Sequence, residues 1–304
     1  MDHLALNVYL REWSDQDRFL VELLGPALRE LRDEGLVRRF WFTRFDARGP
    51  HLFILLSTPG NRSAEVRERL GTLMDEGLAA YGSTGGPDQD ELEKRHAECR
   101  GRCLCSIDAE PGFAPRDSYR FAGQPPNAYP FYVLPATADG LWELITDLTF
   151  WNLGYLGGSE STAAALRWVA TMDRTLTRAG MDTADYWRYH ATTLLVPLQE
   201  RLATSEEAVL AALPGSVGDR NRAIFDRVWA ETGSSSGSWP GAERLVGAIR
   251  SLDPSPPRWW AMLREIDHCT LIQLGQPTRV HIPLVLYAWM RNLPRSGSLV
   301  VARP

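Results

Sequence analysis

The sequence predicts an α+β fold, with a small antiparallel sheet in front of a large helical body. Two observations predict it. The first eighty residues switch between a period of two and a period of three to four, in the order strand, helix, strand, strand, helix. From about residue 138 onward the apolar spacing is almost entirely helical. A chain of 304 residues, 44% apolar and 23% charged, is long enough to bury a sizeable core. The expectation is one elaborated domain over 1–304, with a sheet-containing portion at 1–136 and a mainly helical portion at 137–304.

Leu4, Leu6, Val8 and Leu10 alternate with Ala5, Asn7 and Tyr9, which makes 4–10 a strand. Ser14 or Asp15 can cap the helix that follows. Its face carries Phe19, Leu20, Leu23, Leu24, Leu28 and Leu31, and Gly35 stops it. The run 39–45 is aromatic and strand-like, 46–50 is a turn, and 51–56 is a second strand, so 39–56 reads as a hairpin. Ser63 caps a helix with Val66, Leu70, Leu73 and Leu78 on one face. The order matches the start of a ferredoxin-like unit.

Residues 82–130 are broken by glycine and by Pro111, Pro115, Pro125, Pro126 and Pro130. The short run 131–134 is expected to return to the sheet. Helices are expected over 138–153, 160–179, 183–211, 219–231, 241–250, 257–274 and 281–293, with 233–238 a Gly/Ser loop. No internal repeat is present.

Composition excludes several classes. The net charge of −5 and a pI near 5.8 argue against a basic nucleic-acid binder. No apolar run reaches the length of a membrane span, and Met1-Asp2-His3-Leu4 lacks the order of a signal peptide, so a soluble cytoplasmic protein is the default. Lys94 is the single lysine among 33 basic residues, which fits a coding bias or an arginine surface suited to carboxylates. The phosphate-binding, dinucleotide-binding, nucleophile-elbow and HExxH motifs are absent. His96, Cys99, Cys103 and Cys105 cluster within ten residues, but their spacing fits no usual zinc finger, and structural thiols are the reading adopted. No metal is expected.

Residues 4–56 resemble the thiopeptide-type bacteriocin biosynthesis family, related to the C-terminal, glutamate-eliminating domain of lantibiotic dehydratases. The resemblance rests on the string Phe40-Trp41-Phe42-Thr43-Arg44-Phe45-Asp46-Ala47-Arg48-Gly49-Pro50-His51-Leu52. A weaker likeness lies in Leu284–Leu293, where the family often carries a His-Met-x-x-Asn-Arg-Leu helix. Strong similarity covers roughly a sixth of the chain. Eliminating members usually follow His-Leu with Arg-x-Arg, a clamp for the glutamyl carboxylate. Here those positions are Phe53 and Leu55, Tyr287 replaces the C-terminal histidine, and Arg291-Asn292 reverses the Asn-Arg pair.

The resemblance is closest to the stand-alone enzymes that close the pyridine ring of thiopeptides. It implies a formal [4+2] aza-cycloaddition of two dehydroalanines, with loss of water and expulsion of the leader peptide as an amide. It implies catalysis by folding the peptide and favouring an iminol tautomer. No cofactor is expected. The partner is a modified precursor peptide, leader plus dehydroalanine- and azole-containing core; neither nucleic acid nor membrane is expected. Related proteins often pair, so a homodimer is compatible with the resemblance. Two alternatives stand beside this reading: a glutamyl eliminase that makes dehydroalanine from glutamylated Ser or Thr, and a non-catalytic peptide-binding subunit.

The candidate catalytic residues are Tyr287, His281, Arg44, His51 and Arg291. Arg291 lies one helical turn beyond Tyr287 on the same face, and His281 lies within about 120° of Tyr287. Each has a plainer role available: packing for Tyr287, a helix-end position for His281, an ion pair for Arg44 and hairpin fixation for His51. Alternation puts Phe42 and Arg44 on one sheet face. Phe42, Phe53, Tyr186, Tyr189 and His190 are the candidate substrate-binding residues, suited to stacking on a flat azole-rich peptide or to ordinary packing. Arg29, Arg32, Arg38 and Arg39 form a basic patch that could meet an acidic leader.

Overall fold

The computed structural model describes residues 2–45, 49–82, 90, 94, 114–122, 139–156, 160–202, 219–232, 239–252, 255–276 and 278–292. The expected turn residues 46–48, the stretch 131–134 and the cluster His96, Cys99, Cys103 and Cys105 lie outside them. The chain divides into two compact units, Met1–Ala165 with Trp239–Thr278 and Leu166–Ser238 with Arg279–Pro304.

The first unit is built on four strands, β1 (Asp2–Tyr9), β2 (Arg39–Phe45), β3 (His51–Thr58) and β4 (Ser118–Ala122), in the antiparallel order β2-β3-β1-β4. This is the α+β class, and the strand order is that of a completed ferredoxin-like sheet. Leu6 pairs with Ile54 on one side and Phe121 on the other, and Ile54 pairs with Phe42. Period-two alternation therefore sends Leu4, Leu6, Val8, Phe40, Phe42, Leu52, Ile54 and Leu56 to one face. Against them pack Phe19, Leu20, Leu24 and Leu28 from the first helical segment and Val66, Leu70 and Met74 from α3 (Ser63–Gly77). β3 is buried along its whole length, because Phe53 and Leu55 on its other face are covered too.

The first helical segment is not uniform. α1 (Trp13–Arg18) passes through a π-helical turn (Phe19–Leu24) into α2 (Gly25–Asp33). Pro26 at the start of α2 has no N–H to give and its ring crowds the preceding turn, which widens the ladder there. Only glycine fits at 25, where a Cβ would lie 2.7 Å from the Leu20 carbonyl oxygen. Gly35, at φ 72°, ends α2 as expected: Leu36 N–H donates to the Leu31 carbonyl at 2.8 Å.

Two capping expectations are corrected. α1 begins at Trp13 with Glu12 in the cap position, so Ser14 and Asp15 lie inside its first turn. Arg62, not Ser63, occupies the cap of α3, and the Ser63 hydroxyl instead meets Asp2 Oδ2 at 3.2 Å. The strand at 118–122 was not expected from the sequence.

β2 is an edge strand, and two helices cover its open backbone. Thr146 on α4 (Asp139–Leu153) accepts from Phe40 N–H at 3.1 Å. Gln273 at the end of α9 (Pro256–Gln273) donates to the Phe42 carbonyl at 2.8 Å. Arg32 and Arg39 of the expected basic patch are tied to Asp147 and Asp139 of α4, and Arg29 and Arg32 each lie 5.4 Å from the Phe150 ring centroid. α8 (Ala242–Leu252) also belongs to this unit and buries Leu245, Val246 and Ile249.

The second unit is helical. It contains most of α5 (Glu160–Arg178), then α6 (Thr183–Leu202), α7 (Asp219–Thr232) and nearly all of α10 (Thr278–Asn292). Its interior holds Trp168, Met172, Leu176, Tyr186 and Trp187. α6 is followed to residue 202; the expected continuation over 203–211 lies outside the described residues. α10 starts three residues before the expected 281 and contains Pro283.

Candidate functional site

Each unit gathers some of the expected residues. In the first, Arg44 stands on the same sheet face as Phe42, as alternation requires. It is buried, and its guanidinium is occupied. Nη2 is ion-paired with Asp17, Nη1 donates to Gln16 Oε1 at 3.0 Å and to the Trp13 carbonyl at 3.4 Å, and Nε donates to the Ile272 carbonyl at 3.3 Å. The Trp13 ring centroid lies 5.0 Å from its Cζ. Burial pulls the Arg44 pKa down and Asp17 opposes that. The arrangement is a tie between β2, α1 and the end of α9, with four of the five N–H donors engaged inside the unit.

His51 is buried at the start of β3, where it pairs with Phe45 across the hairpin. Its Nδ1 donates to the Gly49 carbonyl at 2.8 Å, because a carbonyl can only accept, and its ring lies 4.9 Å from Tyr9. Phe42 is fully buried in the sheet–helix core. Phe53, on the opposite face, is 4% exposed and meets Trp41 edge to face at 6.3 Å. Leu55 is equally buried. Cys269 is buried on α9, and burial pushes its thiol well above the ordinary range, leaving it inert.

In the second unit, Tyr287 and Arg291 do meet, four residues apart on α10. Arg291 Nη1 donates to the Tyr287 hydroxyl oxygen at 3.2 Å and to Asp226 Oδ1 on α7 at 2.9 Å, and the Tyr287 hydroxyl donates to the same carboxylate. Phe225 and Trp229, four apart on α7, hold the Tyr287 ring edge to face at 5.0 and 5.5 Å. The Arg291 guanidinium lies over Trp229 at 5.2 Å. Burial first, and donation to Asp226 second, push the Tyr287 pKa up to about 12, with Arg291 opposing. Tyr287 is therefore a neutral hydrogen-bond donor at physiological pH.

Exposure separates the roles within this cluster. Tyr287 is 2% exposed, whereas the side chains of Asp226 and Arg291 are 55% and 38% exposed. The carboxylate and the guanidinium are open to solvent, with the phenol buried behind them. Asp226 was missed by sequence reasoning: it is one acidic residue in a polar helix, and its partners lie 61 and 65 residues away.

The remaining expected residues sit deeper. His281 is fully buried, six residues before Tyr287 on α10. Tyr186 and His190 are buried, with Trp187 stacked on His190 at 5.9 Å, and Tyr189 is half-buried. Tyr186 and His190 thus pack in the interior of the unit, the plainer of the two roles the sequence left open to them. Among the described residues, no three His, Cys, Asp or Glu side chains converge to hold a metal, and no helix is long and apolar enough to cross a membrane.

Comparison with known proteins bears directly on the first unit. Residues 4–95 match the family described as the C-terminal part of the lantibiotic biosynthesis dehydratase. The family resemblance thus extends past the hairpin and through α3. Among solved structures, the chain is similar to the pyridine synthase TbtD from thiomuracin biosynthesis, with 16% identity, 96% of this chain and 97% of that chain covered, and a TM-score of 0.60. It is similar to TsrL, with 16% identity, coverage of 96% and 94%, and a TM-score of 0.53. A tRNA-dependent lantibiotic dehydratase, MibB from Microbispora sp. 107891, shares 17% identity over 96% of this chain and 28% of that chain, with a TM-score of 0.48. No curated protein matches. The fold is that of TbtD and TsrL.

Proposed function

We propose that this chain is a cytoplasmic, cofactor-independent enzyme of thiopeptide biosynthesis that closes a six-membered nitrogen heterocycle by formal [4+2] aza-cycloaddition of two dehydroalanines. The observation that carries the reading is the neutral face of β3. Where glutamate-eliminating relatives hold arginines, this chain buries Phe53 and Leu55 against Trp41 and its neighbours. The retained arginine of the motif, Arg44, is spent on Asp17, Gln16 and two carbonyls. The two β3 positions where eliminating relatives hold arginines thus offer no charge to a glutamyl carboxylate, and Arg44 is engaged inside the unit, which disfavours elimination. The fold shared with the pyridine synthase TbtD over nearly the whole of both chains supports the same reading.

The chemistry falls to the pair Asp226–Arg291. Cycloaddition needs one backbone amide in its iminol form. Asp226 takes the amide N–H proton while negative charge grows on the carbonyl oxygen opposite Arg291, and the same proton then returns to that oxygen. A fixed cation where charge develops is worth about 10²–10³ in rate. Tyr287 acts through Asp226 by donating to it and fixing its orientation. The two alkenes then meet by proximity, and loss of water and of the leader amide leaves the aromatic ring.

The partner in this reading is the modified precursor peptide. Mass spectrometry of the purified protein with a dehydroalanine-containing azole peptide tests it: a macrocycle and a free leader amide support the reading, and an unchanged peptide mass overturns it.

A further inference from the structure

Two consecutive residues of α5 grip the two sides of the Asp226–Arg291 pair. Asp173 is 8% exposed, and one of its oxygens accepts from Trp187 Nε1 at 2.8 Å and from Asn292 Nδ2 at 2.6 Å. Asn292 is the residue after Arg291, and its own oxygen accepts from the Thr183 hydroxyl at 2.7 Å. Asp173 therefore fixes the last turn of α10, where Arg291 stands. Arg174, the next residue on α5, donates to the Trp229 carbonyl on α7. Trp229 is the ring beneath the Arg291 guanidinium, and Asp226 lies one turn before it.

A buried carboxylate hydrogen-bonded by two neutral donors, with only the longer-range charges of Arg291 and Arg174 to offset its desolvation, is a costly way to fill space; an apolar side chain would do so at lower free energy. What the carboxylate adds is direction. It aligns Asn292 and Trp187 at one point, and through Asn292 it sets how far Arg291 projects toward Asp226. We propose that Asp173 is a positioning residue for the Asp226–Arg291 pair, acting through Asn292 on α10, with Arg174 as the second arm of the same bracket on α7. The proposal rests on the reading that this pair meets the substrate amide. It adds that the spacing between the two helices is set from α5.

The test uses the full chain labelled with 5-fluorotryptophan. The Trp229 fluorine resonance is assigned by its loss in Trp229→Phe, and its response to the stacked guanidinium is calibrated with Arg291→Met. Asp173→Leu, which touches neither Trp229 nor Arg291, is expected to move that resonance by about half or more of the Arg291→Met shift, and to lower kcat about tenfold or more with little change in KM. Asp173→Asn keeps the accepting oxygen and is expected to restore both. Asn292→Ala, a truncation at a half-exposed helix end, carries the same expectation as Asp173→Leu, so poor folding of the leucine variant leaves the test intact. A Trp229 resonance unmoved in a folded Asp173→Leu or Asn292→Ala protein overturns the proposal. Wild-type protein inactive on the dehydroalanine peptide would instead sink the functional reading, while the resonance shift still reports on the bracket.

Discussion

Replacing Arg44 with alanine should destabilise the sheet unit strongly before it reveals anything about substrate. The guanidinium is buried, and it satisfies the Asp17 carboxylate, Gln16 Oε1 and the carbonyls of Trp13 and Ile272. Removing it leaves Asp17, whose side chain is 19% exposed, without its cation, and takes a donor from the Trp13 carbonyl and from the Ile272 carbonyl, which keeps Gly275 N–H at 3.0 Å. Breaking a buried pair by deleting one partner costs about 3–5 kcal/mol. Total stability of a domain is about 5–15 kcal/mol, so this is a large share of it. At about 2–4 °C per kcal/mol for a unit of this size, Tm should fall by about 6–20 °C. Urea unfolding of wild type, Arg44→Ala, Asp17→Asn and the double variant gives the coupling directly, and about 1–3 kcal/mol is expected between the two sites. A loss below about 1 kcal/mol, accompanied by weakened peptide binding, would refute the structural role and return Arg44 to the substrate.

The site in the second unit behaves oppositely. Asp226→Asn should lower kcat by about 10²–10⁴ while leaving the far-ultraviolet circular dichroism unchanged, and Tyr287→Phe should lower it by about 10–10² with a stability loss of about 0.5–1.5 kcal/mol; equal rates for all three proteins remove the cluster from the chemistry. Burial holds the Asp173 carboxyl above its ordinary value of 3.8, so the folded state binds that proton more tightly than the unfolded state. The contribution is fully present below 3.8 and is lost as pH rises through the raised value. Denaturation as a function of pH should show that declining slope in wild type and its absence in Asp173→Asn, and identical slopes would contradict the assignment.

Much of the first unit was legible because its signals are local. Alternation over Leu4–Leu10 and over the two hairpin runs gives β1, β2 and β3, and a glycine after an apolar helical face gives the end of α2. The fourth strand was hidden because Ser118–Ala122 is short and lies in a proline-broken stretch; only Tyr119 and Phe121 carry its period. The π-helical turn depends on Pro26 and on the close approach at Gly25, neither of which disturbs the apolar spacing. In the site, the four-residue interval between Tyr287 and Arg291 was readable, since helical geometry alone brings them together. Asp226, Asp173 and Asp17 were not, because each acquires its meaning from a residue brought up by tertiary folding. The sequence shows that Arg44 points to the core face; it does not show that α1 supplies the acid that consumes it.

The most direct test of a peptide-folding, ring-closing site is to offer purified protein two substrates and weigh the products. A dehydroalanine- and azole-containing precursor should be converted to a shorter macrocycle and a leader amide, while a glutamylated precursor should keep its mass. Loss of glutamate from the second substrate, with the first untouched, would contradict the account.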